Sequence, residues 1–174
     1  MSLLHLNDVT YSWDGDMLLD QVTLNLEAGE HIGLVGRNGT GKTTLLKLIT
    51  GGLEADDGSI SIPPRWRLGM TRQEAPEGNA RLIDSVLAAD AELSSLQAEA
   101  ETAQDPDRIA HIHERLAAKH AYSAPARAAK ILSGLGFDDE VQKRTLDEFS
   151  GGWRMRVMLA SLLFTQPELL LLDE

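Results

Sequence analysis

The stretch Gly36-Arg37-Asn38-Gly39-Thr40-Gly41-Lys42-Thr43 decides the fold. Before it runs the apolar segment Ile32-Gly33-Leu34-Val35. After it Leu45, Leu46, Leu48 and Ile49 share a wide helical face that Gly51-Gly52 ends. A continuous apolar run of that length suits a strand covered on both faces. Strand, glycine-rich loop and helix in this order fit G-x-x-x-x-G-K-[ST] completely, and in the context that marks a phosphate-binding loop, or P-loop. The glycines let the backbone curl until successive N–H groups face the β- and γ-phosphates of a nucleotide, and the following helix adds its positive end. Lys42 then reaches β/γ-phosphate oxygens, and the Thr43 hydroxyl faces Mg²⁺.

Upstream, Leu4, Leu6 and Val9, then Val22, Leu24 and Leu26, alternate around the turn Trp13-Asp14-Gly15-Asp16. This predicts an antiparallel β pair. Downstream, short strands are expected over 59–62 and 66–72. From Ala80 the period becomes helical: Val86, Ala89, Leu93, Leu96 and Ala100 form one stripe, and Ile109, Ile112 and Leu116 a second after Gln104-Asp105-Pro106. That pattern suggests a helical hairpin, with two helices lying on the main body as the alternative. A third helix is expected near 125–133, and a fourth after Ser150-Gly151-Gly152. Leu169-Leu170-Leu171-Leu172 then reads as a buried strand delivering Asp173-Glu174 at its end. Asp173 is placed to hold Mg²⁺, and Glu174 to polarise an attacking water as general base.

With 174 residues the chain suits one domain rather than two. Apolar residues make up 43% and charged residues 25%, which excludes disordered, collagen-like and coiled-coil classes. There is no cysteine, so disulfides, thiolate zinc and thiol nucleophiles are excluded. The longest apolar run, 157–164, is far short of the roughly 20 residues of a membrane helix, and the first residues show no signal-peptide pattern. A cytoplasmic protein is expected. A formal charge of −11 opposes indiscriminate attraction to DNA or anionic lipid, so phosphate binding must be local.

A P-loop, a Ser-Gly-Gly helix start and a Leu₄-Asp-Glu strand in this order resemble the ATP-binding-cassette (ABC) ATPases over nearly the whole chain. The resemblance implies an α/β P-loop NTPase core with an N-terminal antiparallel β subdomain and a helical subdomain. The core spans 1–80, the helical subdomain 81–148, and the signature helix with the Walker B strand 149–174. The cofactors implied are ATP and Mg²⁺. Trp13 falls where the family stacks an aromatic on adenine, with Tyr11 as the fallback. Residues 36–43 together with Thr44 form the phosphate cradle. Gln73 is similar to the Q-loop glutamine, which contacts Mg²⁺ and the lytic water. Ser150, Gly151 and Gly152 would meet the γ-phosphate of ATP held by a second cassette, so the working unit is a pair of cassettes. Phe149 stands where Leu is more usual.

The continuation Gly-Gly-Trp-Arg-Met-Arg and the Leu₄-Asp-Glu ending resemble the ABC-F subfamily. The segment from Gln73 to Ser150 also exceeds a minimal helical subdomain, and the surplus coincides with a hairpin near 91–120. In ABC-F proteins such an insertion, the arm, reaches ribosomal components. This implies a two-cassette soluble protein acting on the ribosome in translation or antibiotic resistance, without a membrane subunit. The alternatives are a transporter's nucleotide-binding subunit and a DNA-repair or scaffold cassette. The arm is acidic here, which makes it a poor ligand for an RNA backbone and leaves either a contact with ribosomal protein or a solvated helix face. Arg65, Arg67, Arg72 and Arg81 form the better basic cluster. His111 and His113, two apart, fall on different helix faces and do not suggest a metal site. The family's D-loop, a further parallel strand, the switch histidine and a second cassette find no match in these residues. The chain is therefore expected to be a fragment with negligible turnover by itself, its sheet exposing apolar side chains where that strand would lie.

Overall fold

The computed structural model describes residues 2–64, 66–71 and 75–173. They form two compact units, Met1–Met70 with Pro167–Glu174 and Thr71–Gln166.

In the first unit, β1 (Ser2–Trp13) and β2 (Asp16–Glu27) form the expected antiparallel hairpin, turning at Asp14-Gly15 with both residues at positive φ. β3 (Asp57–Ser61) adds to the free edge of β1, giving the order β2-β1-β3. One face of the sheet is apolar. Its Leu4, Leu6, Val9, Tyr11 and Leu26 pack with Leu45, Leu48 and Ile49 of α1 (Lys42–Ile49) and with Leu169 and Leu171 of β5 (Leu169–Leu171). Burying side chains such as Leu6 and Val9, both fully enclosed, is worth about 1.5–3 kcal/mol each. β5 pairs in parallel with β4 (Leu68–Met70), in the register Leu68 to Leu169.

The strand expected at 32–35 is not formed: these residues belong to no strand among the described residues. Ile32, Leu34 and Val35 are exposed, Val35 at 95%, as is Leu172 at 60% beyond β5. A strand exists only through its ladder, and no described strand pairs with these residues. An apolar groove of about 460 Å³ runs here instead, lined by Ile32, Leu34, Leu45, Leu46 and the 169–172 run.

The second unit is helical: α2 (Leu82–Leu87), α3 (Ala91–Thr102), α4 (Pro106–Ala118), α5 (Ala124–Gly134) and α6 (Gly151–Thr165). The stripe expected to run unbroken from Val86 to Ala100 is divided. Asp90 stops it, accepting a bond from Leu93 N–H and so capping a new helix. Asp105 caps α4 in the same way through Asp107 N–H, with Pro106 in the first turn. Leu93, Leu96, Ile112 and Leu116 close the α3–α4 hairpin from within and join a core of Leu82, Val86, Leu132, Phe137, Val157 and Phe164. Ion pairs close it from outside, Arg108 with Glu99 at 2.5 Å, Lys119 with Asp90 and Glu92 at 2.9 Å each, and Arg115 with Glu92. The arginine and lysine partners hold the Glu92 and Glu99 carboxyls below their ordinary pKa. For Lys119, burial pushes its pKa down, but the bonds to Asp90 and Glu92 win and the net shift is upward.

Candidate functional site

Residues 36–40 lie exposed at the surface of the first unit, and α1 begins directly behind them. Gly39 and Gly41, at φ +83° and +88°, supply the left-handed turns of the loop. A Cβ at Gly41 would meet Leu18 O at 3.5 Å and Leu19 Cδ2 at 3.8 Å, which is ordinary contact with β2, so its positive φ and not a lack of space calls for glycine there. Thr40 N–H and its hydroxyl both donate to Arg37 O, at 3.3 and 2.8 Å, and Leu45 N–H to Gly41 O at 2.8 Å. Lys42 Nζ folds over the loop and donates to Gly36 O at 2.9 Å and Arg37 O at 3.0 Å. The ammonium is thus held where the loop curls. The amides of Lys42, Thr43 and Thr44 open α1, so the helix offers them no acceptor of its own.

Lys42 and Asp173 line one small cleft of about 160 Å³, together with Ile32, Leu34, Leu46 and the 170–172 run. Residues 131 positions apart in sequence line one cleft because β5 and α1 share one core. The Thr43 hydroxyl and the Asp173 carboxylate are hard oxygen donors of the kind Mg²⁺ takes, so the residues present fit that ion. Trp13, at the end of β1, is 64% exposed on the same unit, whereas Tyr11 is buried at 7%. Tyr11 is therefore a core residue, and of the two Trp13 is the one that presents a ring to solvent. Gln73 and Glu174 lie outside the described residues.

In the helical unit, Ser150 is the N-cap of α6 in extended conformation, and its side chain makes no capping bond. The helix takes both glycines into its first turn, earlier than the sequence suggests. Phe137, fully buried, braces this turn from both sides: Phe149 lies edge-on at 6.0 Å and Trp153 at 5.1 Å. Arg156 stacks on Trp153, its guanidinium carbon 4.5 Å from the ring centroid. The apolar side chain before Ser-Gly-Gly is thus packed, with its ring against Phe137. Phe137 itself was invisible in the sequence, being one aromatic after a Gly-Leu-Gly turn. Of the basic cluster, Arg67 pairs with Glu168 and Arg81 with Asp84, and Arg65 and Arg72 lie outside the described residues.

The sequence model of the family described as ABC transporter matches residues 19–174. Two solved structures share the fold. A nucleotide-free ATP-binding cassette from an ABC transporter matches with TM-score 0.67 at 22% identity, over 100% of this chain and 69% of that one. CbiO1 from Clostridium perfringens, part of the ABC transporter complex cbiONQ, matches with TM-score 0.66 at 22% identity, over 99% of this chain and 65% of that one. Among curated relatives, the Escherichia coli K12 protein named "Probable ATP-binding protein YheS" is 43% identical over 91% of this chain and 25% of its own length. The human "ATP-binding cassette sub-family F member 3" is 39% identical over 94% of this chain and 24% of its own length. The chain spans about a quarter of the length of these relatives. No helix among the described residues is long and apolar enough to cross a membrane. A family match over nearly the whole chain, carried by a P-loop that shares a cleft with Asp173, leads to one conclusion: the chain belongs to the ABC family of ATP-binding domains, in its sub-family F.

Proposed function

We propose that this chain is the ATP-hydrolysing cassette of a soluble, cytoplasmic two-cassette ABC-F protein that acts on the ribosome in translation or antibiotic resistance. The observation that carries the nucleotide reading is the shared cleft of Lys42 and Asp173 beside the curled loop. In this reading Trp13 stacks on adenine, and residues 36–44 bind the phosphates through backbone amides and the Lys42 ammonium. Thr43, Asp173 and Gln73 hold Mg²⁺, which when bound neutralises charge on the β- and γ-phosphates. Glu174 accepts a proton from the water that attacks the γ-phosphorus, releasing ADP and phosphate. Ser150, Gly151 and Gly152 serve the ATP of a second cassette in the same polypeptide.

The α3–α4 hairpin supports an arm that meets protein rather than RNA. Its basic side chains Arg108, Arg115 and Lys119 are each paired with acids of the hairpin itself. Glu101, Asp107 and Glu114 remain exposed, so a basic ribosomal protein surface fits better than phosphate.

The test is ribosome pelleting of the full-length protein with Glu174→Gln, with and without ATP. Retention that increases with ATP, and is lost in Lys42→Ala, is expected. Absence of co-sedimentation in both conditions would refute the ribosomal reading and leave a transporter subunit as the alternative.

A further inference from the structure

Neither 115–137 nor 149–167 contains an aspartate or glutamate, in a chain that has 27 of them. The first stretch holds α5 and the second holds α6, and the two helices run antiparallel within the helical unit. Near the start of α5 the Arg127 guanidinium lies over the ring of Phe164, late in α6, at 5.0 Å. Past the end of α5, a Cβ on Gly136 would meet Nη1 of Arg156, early in α6, at 3.6 Å. Two adjoining helices of a protein with formal charge −11 thus carry positive side chains and no negative ones.

The cations of this unit are of two kinds. Those of the α3–α4 hairpin are paired within it, and Lys143 pairs with Glu140, Arg144 with Glu148 and Arg154 with Glu77. Arg127, Lys130 and Arg156 pair with no acid among the described residues. Lys130 and Arg156 are exposed, while Arg127 is half-buried with its Nε enclosed and without a hydrogen-bond partner. The face of Phe164 returns only part of what desolvating that guanidinium costs. An anion from outside the chain would supply the rest. Arg127 and Lys130, three apart, share a face of α5 with Ala126 and Gly134, whose small side chains leave the cations standing clear. Arg156 continues the line, so the three span roughly 10–15 Å along α5. Beyond the helix, Asp138 is engaged by Val141 N–H at 2.9 Å and Glu140 by Lys143 at 2.7 Å. Alanine and glycine between the cations offer a protein partner no pocket for an anchoring side chain. A phosphate backbone needs only charge and close approach.

We propose that the face of α5 marked by Arg127 and Lys130, with Arg156 at its end, is a docking surface for the phosphate backbone of ribosomal RNA. This deepens the proposed function and rests on its ribosomal reading. The helical unit then meets the ribosome in two ways: the hairpin, whose cations are spent on its own acids, meets basic protein, and α5 meets RNA. Recognition here is by charge along the backbone, so it is independent of base sequence and weakens with salt.

The experiment measures, for the full-length protein with Glu174→Gln and ATP, the affinity for purified ribosomes and for a fluorescein-labelled RNA duplex across roughly 50–200 mM KCl. Lys130→Gln, Arg127→Gln and Arg156→Gln are compared with Lys47→Gln, which removes the same charge from an exposed position on α1 in the first unit. Each of the three should weaken both probes by about three- to ten-fold. Each should also lower the slope of log affinity against log salt by about 0.7–0.9, while Lys47→Gln changes neither quantity. Lys130 is exposed, so its variant folds even if Arg127→Gln loosens α5 on Phe164, and it decides the matter alone. Unchanged affinity and slope in Lys130→Gln, or an equal loss in Lys47→Gln, would overturn the docking face. Loss on ribosomes with none on the duplex would assign the face to an acidic protein and overturn it as well. If the parent protein fails to bind ribosomes, the ribosomal reading falls, and the duplex arm still decides whether α5 takes RNA.

Discussion

Lys42→Ala isolates the ammonium from the loop that carries it. In the structure Lys42 Nζ donates to two loop carbonyls, Gly36 O and Arg37 O, both about 3 Å away. Neither bond is what shapes the loop. Thr40 holds Arg37 O through its own N–H and hydroxyl, and Leu45 N–H fixes the first turn of α1 on Gly41 O. Alanine should therefore leave the fold intact, with a change within about 0.5 kcal/mol, or roughly 1–2 °C in melting temperature. Nucleotide binding should respond more strongly. A charge-assisted bond to phosphate is worth about 1.5–3 kcal/mol, which converts to roughly 10- to 150-fold in affinity. Lys42 must release its two carbonyls when phosphate arrives, which places the expected loss toward the lower end of that range. Calorimetric titration of the full-length protein with Mg-ATP, ADP and AMP reads it directly. ATP and ADP should both weaken by at least ten-fold, whereas AMP, lacking the β- and γ-phosphates, should bind alike to variant and wild type. A loss below about three-fold for ATP, or an equal loss for AMP, would refute the placement of the ammonium on those phosphates.

Three further outcomes are expected. Gly58→Ala should destabilise the first unit by about 2–5 kcal/mol, because φ is +87° and the new Cβ would lie 2.4 Å from Asp8 O, adding backbone strain to steric overlap; a loss under about 1 kcal/mol in chemical denaturation would mean that β3 does not meet β1 in this register. Trp13→Ala should weaken ATP and GTP together by roughly 5- to 150-fold, since stacking uses ring area and not base-edge bonds; a loss confined to ATP in competition binding would point to a polar contact elsewhere. Glu92 and Glu99 have lowered folded-state pKa values, so their contribution is present above the ordinary value of 4.5 and is lost as pH falls through the lowered values. Circular dichroism melts of the Glu92→Gln, Glu99→Gln variant should accordingly be weaker near neutrality and flatter across acid pH than those of wild type, and equal pH slopes would refute the assignment.

What the sequence made legible and what it did not divide along a physical line. The hairpin of β1 and β2, the break before Pro106, the helix start at Ser150-Gly151-Gly152 and the curl of the P-loop are each encoded within a few residues, by alternation, a proline, small residues or a glycine at positive φ. Such features persist whatever else is present. The 32–35 run carries an equally clear local pattern, yet its side chains stand exposed, since becoming a strand requires hydrogen-bonding neighbours that a local pattern cannot supply. The same reasoning explains the candidate site. Lys42 is identifiable from its own octapeptide and Asp173 from the Leu₄-Asp-Glu ending beside it, but that the two line one cleft follows from β5 and α1 sharing a core. Phe137, Glu77 and Arg154 lie at the far end of this scale. No short pattern marks Phe137 or Glu77, and the Gly-Gly-Trp-Arg-Met-Arg run does not say what Arg154 touches, so only tertiary packing reveals that Phe137 braces the turn at Ser150 and that Arg154 reaches back to Glu77.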